Sequence, residues 1–317
     1  SSVTIIQSQA FKGCSRLDKI EIPSSVNTIE EGAFQGCSSL SNVNLLSKTI
    51  KSILTRTFSG CSLLTQINIP SSINSIESNA FYKCISLRKA IIPSSVSIIG
   101  DNAFYGCNKL NQVMISGSVK SIGDNCFNGC SSLKQIEIPP SVNLIGDNCF
   151  QGCSNLTEIT IDPYKTKFKN DHSNPCEALK KLILGDSVTK VSKLSQYSYI
   201  KNIKYIKIPK CAIEINDNSF EDCSSLIQIE IPSTIRIIGD YAFKGCSSLQ
   251  EIKIPDSVNA IGKFSFQGCS LLTNLFIPSS VKSIGINAFK DCTKLNEIKI
   301  NLYASSYNNN TIKHDNN

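Results

Sequence analysis

The stretch Ala103-Phe104-Tyr105-Gly106-Cys107-Asn108-Lys109-Leu110-Asn111-Gln112-Val113-Met114-Ile115-Ser116-Gly117-Ser118-Val119-Lys120-Ser121-Ile122-Gly123-Asp124-Asn125 decides the fold, because slot after slot of it returns 23 residues later. The spacing Phe-x-x-Cys-x-x-Leu occurs at Phe11/Cys14/Leu17, Phe34/Cys37/Leu40, Phe58/Cys61/Leu64, Phe81/Cys84/Leu87, Phe104/Cys107/Leu110, Phe127/Cys130/Leu133 and Phe150/Cys153/Leu156. It resumes at Phe220/Cys223/Leu226, Phe243/Cys246/Leu249, Phe266/Cys269/Leu272 and Phe289/Cys292/Leu295. A fixed period of this length marks a solenoid, in which each unit buries its apolar face against its neighbours.

The unit has parts of different period. Ala103, Phe104, Cys107 and Leu110 fall at i, i+1, i+4 and i+7, the spacing of one face of a helical turn or two. Val113 and Ile115 alternate around an outward Met114, as in a strand with one buried face. Pro often follows (Pro23, Pro70, Pro93, Pro139, Pro232, Pro255, Pro278) and ends that ladder. A second extended piece carries Val119 and Ile122, and Gly123-Asp124-Asn125 closes the unit with turn-forming residues.

The interval from Phe150 to Phe220 equals three periods plus one residue, so two degenerate units fill it. One has Ser173 in the Phe slot with Cys176 and Leu179; the next places Tyr197, Ile200 and Ile203 in the Phe, Cys and Leu slots. The expected fold is therefore a solenoid of about thirteen stacked units, with a curved parallel sheet on the concave face and short helical turns and extended segments on the convex side. At about 4.8 Å per strand, thirteen strands predict a sheet on the order of 60 Å long. The array spans 1–300, with divergent Lys-rich repeats over 162–219, and an Asn-rich tail over 301–317 is expected to be disordered. The opening Ser1-Ser2-Val3 matches the middle of a unit, which predicts a segment of a longer protein.

The net charge of +7 is concentrated. Eleven Lys and four acids lie between Asp162 and Lys210, so the rest of the chain sums to zero. That basic stretch is either a solvated patch or a docking site for an acidic partner; no nucleic-acid module accompanies it. Twelve of the fifteen Cys occupy one slot per unit, where equivalent side chains point the same way. A ladder of buried free thiols is expected there, not disulfides. Cys126 and Cys149 take the Ala slot and, with Cys130 and Cys153, make a conceivable zinc set, but their slots account for them without metal. Cys211 is off-register.

With two His (His172, His314), no phosphate-cradling glycine loop and scattered acids, no catalytic constellation is expected, and no cofactor. No apolar run approaches the roughly 20 residues that span a bilayer.

The unit I-x-I-P-x-S-V-x-x-I-G-x-x-A-F-x-G-C-S-x-L, seen almost slot by slot from Ile229 to Leu249, resembles the BspA-like leucine-rich repeat family of the 23-residue Treponema-type class. The resemblance implies a curved solenoid with its strands on the concave face. It also implies a cell-surface or secreted protein with an adhesive role towards host cells or matrix proteins. It carries over no ligand residues.

The outward strand positions are the candidate contact surface. Most are polar, but Ile91 and Met114 are neighbours, flanked by Lys89 and Gln112. A second mixed cluster is Lys181 and Ile183 beside Tyr205 and Lys207. Mixed aliphatic, aromatic and basic surface is the composition of an interface centre. Phe276 stands alone, as an incidental exposed ring does. Sequons begin at Asn155 and Asn309. The sequence thus predicts a non-enzymatic, adhesin-like binding module that docks a protein or glycan partner, such as a matrix or host-surface component, on its concave face. The alternative is an intracellular interaction scaffold in the cytoplasm, which unpaired Cys also suit.

Overall fold

Most turns of the chain carry two short strands, and equivalent strands of successive turns pair in parallel. A computed structural model describes residues 3–169 and 176–300. Ser173, His172, His314, the Asn309 sequon and the 301–317 tail lie outside the described residues. The architecture is a parallel β-solenoid of about thirteen turns with nearly no helix. It falls into two compact units, Ser1–Leu179 and Lys180–Asn317.

In the first unit, the first sheet is a row of separate parallel ladders that hold the alternating Val/Ile pairs: Lys19–Ile22 with Asn42–Leu45, Lys89–Ile92 with Gln112–Ile115, and Gln135–Glu137 with Glu158–Ile161. Gln66 joins it through a single bridge to Lys89. A second sheet runs through Ser52–Ile53, Ser75–Ile76, Ile98–Ile99, Ser121–Ile122, Leu144–Ile145 and Lys167–Phe168. The second unit repeats the plan. Its first sheet holds Lys181–Leu184, Tyr205–Lys207 and Gln228–Glu230, then Asn274–Ile277 with Glu297–Ile300. Its second runs from Lys190–Val191 through Glu214–Ile215, Ile237–Ile238 and Ala260–Ile261 to Ser283–Ile284. Proline links the two strands of a turn: the carbonyl of Pro93 accepts from Val96 N–H, and Val96 drops into the core.

The segment around each Phe, expected as a helical turn, is built from tight turns instead. Asn102 (φ 54°) and Gly106 (φ 69°) flank Phe104 in left-handed conformation, and Asn125 (φ 54°) and Gly129 (φ 76°) flank Phe127. Two such residues four apart break any helix, and Asn and Gly are the types that adopt this conformation at least cost. The side chains still reach one interior face. Phe, Cys and Leu of the interior turns are buried, and the Phe rings stack at 5.2 to 5.9 Å between centroids in the first unit. In the second unit the rings of Phe220, Phe243, Phe266 and Phe289 stack in the same way. Offset stacking of this kind adds about 0.5–1.5 kcal/mol per pair beyond area burial.

One degenerate turn departs from the sequence reading. Tyr197 is only half-buried, whereas Leu194 is fully buried and its N–H donates to the carbonyl of Ser219. That is the bond Phe makes in other turns, as from Phe220 to Ala242. Leu194 therefore takes the Phe place. A 3-10 helix, Ser198–Asn202, absorbs the spare residues, and Tyr199 fills core beside Ile200 and Ile203.

The thiol column is present, and all fifteen cysteines are free. Where successive turns both carry Phe, the thiol of the column donates to the carbonyl of the earlier Phe: Cys61 Sγ to Phe34 at 3.3 Å, Cys84 to Phe58 at 3.1 Å, Cys153 to Phe127 at 3.1 Å and Cys246 to Phe220 at 3.1 Å, whereas Cys176 donates to the carbonyls of Cys153 and Leu156. Burial pushes the thiols of Cys84, Cys153 and Cys223 up to about 12. Cys126 and Cys149 are buried in the Ala slot. Among the described residues no group of His, Cys, Asp and Glu is placed to hold a metal ion, and no helix is long and apolar enough to cross a membrane.

These burials set a pH dependence. A thiol whose folded pKa is raised stabilises the fold below its unfolded value, and that stability is lost as pH climbs from about 9 towards about 12. Each such thiol contributes a slope of about 1.4 kcal/mol per pH unit in that window. The melting temperature should fall steeply above pH 9, and replacing Cys84, Cys153 and Cys223 by Ala should flatten the fall. In the native chain Ellman's reagent should label Cys14, Cys211 and Cys292, the cysteines that are not buried; rapid labelling of Cys107 or Cys130 would contradict the thiol column.

Candidate functional site

Strand alternation puts every second side chain of the first sheet on its outer face: Lys89–Ile92 runs exposed, buried, exposed, buried. Register then decides which outward side chains meet. In the first unit Lys89 lies beside Gln112 and Ile91 beside Met114. Ile91 and Met114 are 46% and 50% exposed, and Gln112 Nε2 approaches Met114 Sδ at 3.8 Å. Lys89 and Ile91 also border a shallow depression of about 450 Å³ whose other outward side chains are Asn42, Asn44, Gln66 and Asn68.

In the second unit Lys181 lies beside Tyr205 and Ile183 beside Lys207. Lys181 Nζ sits 5.0 Å from the centre of the Tyr205 ring, a cation–π contact. Lys207 pairs with Glu230 of the following turn at 3.3 Å. A hydrogen bond from the Tyr205 hydroxyl holds the Glu230 carboxyl below the usual carboxylate range, against the effect of partial burial and with help from Lys207. Each predicted group of four is therefore assembled within its own unit.

Sequence reasoning missed the larger feature. A trough of about 780 Å³ runs across the outer face of the second unit's first sheet, from Lys207 and Glu230 past Lys253 and Phe276 to Lys299. Phe276, set aside as isolated, is 47% exposed and lies in this trough beside Lys299 in strand register. Two cations in it are satisfied, Lys207 by Glu230 and Lys299 by Glu297 at 3.3 Å. Among the described residues Lys253 and Glu251 have no ion-pair partner. The signal was available as a column, Lys207, Glu230, Lys253, Phe276 and Lys299 at one slot of successive units. Each residue alone looked like ordinary surface.

In each unit the outer face of the first sheet bears side chains in register. The sequence matches the model of the BspA type leucine rich repeat region (6 copies) over residues 1–111, 74–201 and 193–317. The chain belongs to this family. It is similar to a leucine-rich repeat protein from Bacteroides ovatus, with 30% identity over 93% of this chain and 82% of that one and a TM-score of 0.50. A leucine rich cell surface protein from Faecalibacterium prausnitzii matches at 29% identity over 96% of this chain and 84% of that one, with a TM-score of 0.47. No curated protein matches the sequence.

In a Tyr205→Phe variant the Glu230 carboxyl should titrate at higher pH than in the native repeat array, followed by carboxyl carbon NMR. An unchanged titration would remove the hydroxyl as the main cause of its acidity.

Proposed function

We propose that this chain is the non-enzymatic binding module of a cell-surface or secreted adhesin-like protein, and that a protein or glycan partner docks on the outer face of the first sheet. The observation that carries this reading is the trough: a large aromatic ring and an unpaired cation stand exposed on a face where plain solvation would favour small polar side chains. A repeat lattice holds such groups in register before the partner arrives, which lowers the ordering cost of binding. Lys181, Ile183, Tyr205 and Lys207 extend the contact surface from one end of the trough in the second unit. Lys89, Ile91, Gln112 and Met114 form a smaller candidate surface in the first unit. Leucine-rich repeat proteins of this family are generally binding modules without catalysis, and the surface assignment follows the same family resemblance.

The intracellular scaffold is the second reading, favoured by the thiols of Cys14 and Cys292, which are not buried and form no disulfide. Antibody to the repeats should stain intact cells that make the protein, and a Phe276→Ala/Lys253→Glu variant should lose most partner binding while melting like the native chain, since both side chains are exposed. Staining only after permeabilisation would overturn the surface assignment; undiminished partner binding would overturn the trough.

A further inference from the structure

The charge pattern inside the trough selects among partner classes. A polyanionic glycan presents acidic groups at every repeat and no apolar side chain. Along the trough it would meet Glu230, Glu251 and Glu297, and of its four lysines only Lys210, at its edge, and Lys253 have no carboxylate partner. Glu251 stands unpaired two residues before Lys253 on the same chain segment, so a free carboxylate adjoins that free cation and interrupts any run of positive charge. Beside them Phe276 offers apolar surface, while Asn274 and Gln228 offer amide donors and acceptors that suit a polypeptide backbone. Successive turns are about 4.8 Å apart, so Lys253 and Phe276 reach adjacent side chains of an extended segment. The turns of the second unit that begin this face, Lys180 to Lys210, add eight Lys against one Asp, which draws an acidic segment towards that end.

We infer that the trough of the second unit takes an extended acidic polypeptide segment, one carboxylate pairing with Lys253 and a neighbouring aromatic or large aliphatic side chain packing on Phe276. This rests on the docking reading above and narrows it to one partner class. The ring supplies the buried anchor and Lys253 the charge-assisted bond, the division of labour found in interface centres. Glu251 rejects a second carboxylate at the adjoining position, so the occupant is acidic without being uniformly anionic.

The test is selection of a random peptide library displayed on phage against the full chain, counter-selected on Lys253→Glu and on Phe276→Ala. Enriched peptides should carry Asp or Glu within two residues of Phe, Tyr, Trp or Leu. A synthetic peptide of the enriched sequence should bind about tenfold more weakly to either variant, the loss of one good contact, and more weakly as salt rises. Heparin-derived oligosaccharide is titrated in parallel. Oligosaccharide that binds the native chain and is lost in Phe276→Ala, without peptide enrichment, would leave the docking reading standing and overturn the peptide inference. Enriched peptides that are basic, or that bind both variants undiminished, would overturn it as well. Binding of neither probe would count against both.

Discussion

The backbone bond from each Phe N–H to the carbonyl just before the Phe of the next turn sets the spacing on which the other columns depend. In the first unit Phe11 bonds to Ala33, Phe58 to Ala80, Phe81 to Ala103 and Phe104 to Cys126, all near 2.8 to 2.9 Å. A backbone held at that separation stacks rings of successive turns in contact, so the slot favours a flat side chain of constant outline, with Leu194 an exception. It also brings turns so close at the Gly of the Gly-Asp-Asn corner that a methyl group has no room: a Cβ on Gly146 would collide with the backbone of Asp124. The Asp that follows repays the approach, since Asp124 Oδ1 accepts from the N–H of Asp147 at 2.9 Å. One spacing thus dictates Phe, Gly and Asp together.

The same spacing explains cysteine. The carbonyl of Phe34 already accepts the N–H of Cys37, and its second lone pair is met by the thiol of Cys61 from the next turn. Alanine would leave that site without a donor, and serine would place a strongly polar hydroxyl deep in apolar surroundings. A thiol is apolar enough to be buried and still a weak donor. The column is a packing solution with a hydrogen bond attached, and its neutral buried thiols resist the chemistry that makes exposed cysteines reactive. A count of unpaired cysteines therefore says little about compartment here: the groups that would register the redox environment are mainly Cys14, Cys211 and Cys292.

What was legible in the sequence follows from this. Slots fixed by stacking repeat visibly, so the Phe, Cys, Leu and strand positions and the number of turns could be read directly. Conformation between those slots was less legible. The spacing of Ala103, Phe104, Cys107 and Leu110 suits a helical face, yet Asn102 and Gly106 take left-handed conformations that only their residue types hint at. Periodicity reports which side chains share a face; it does not report how the backbone carries them there. Leu194 shows the other blind spot. Counting back from Phe220 by one period lands on Tyr197, but the backbone bond to Ser219 is made three residues earlier and the 3-10 helix restores the count. Compensating insertions and deletions within one turn cancel in any fixed-period reading.

The outer face was legible by alternation but not by energetics. Ile91 and Met114 drew attention because two apolar residues coincide, whereas Phe276 has polar neighbours in its column. In the structure those neighbours largely neutralise each other: Lys207 turns to Glu230 and Lys299 to Glu297. Pairing removes them as independent features and leaves the ring, Lys253 and Glu251 on the floor, with Lys210 at the edge, as the groups with unspent interactions. Surface ion pairs of this kind contribute little to stability, about 0–1 kcal/mol each, so the fold gains little from their arrangement. Their effect is on recognition, because a column of paired charges is a poor target for either sign and isolates the positions that remain. The solenoid core repeats because packing demands it, while the outer face varies from turn to turn under no such demand; specificity in this molecule is written where the repeat is broken.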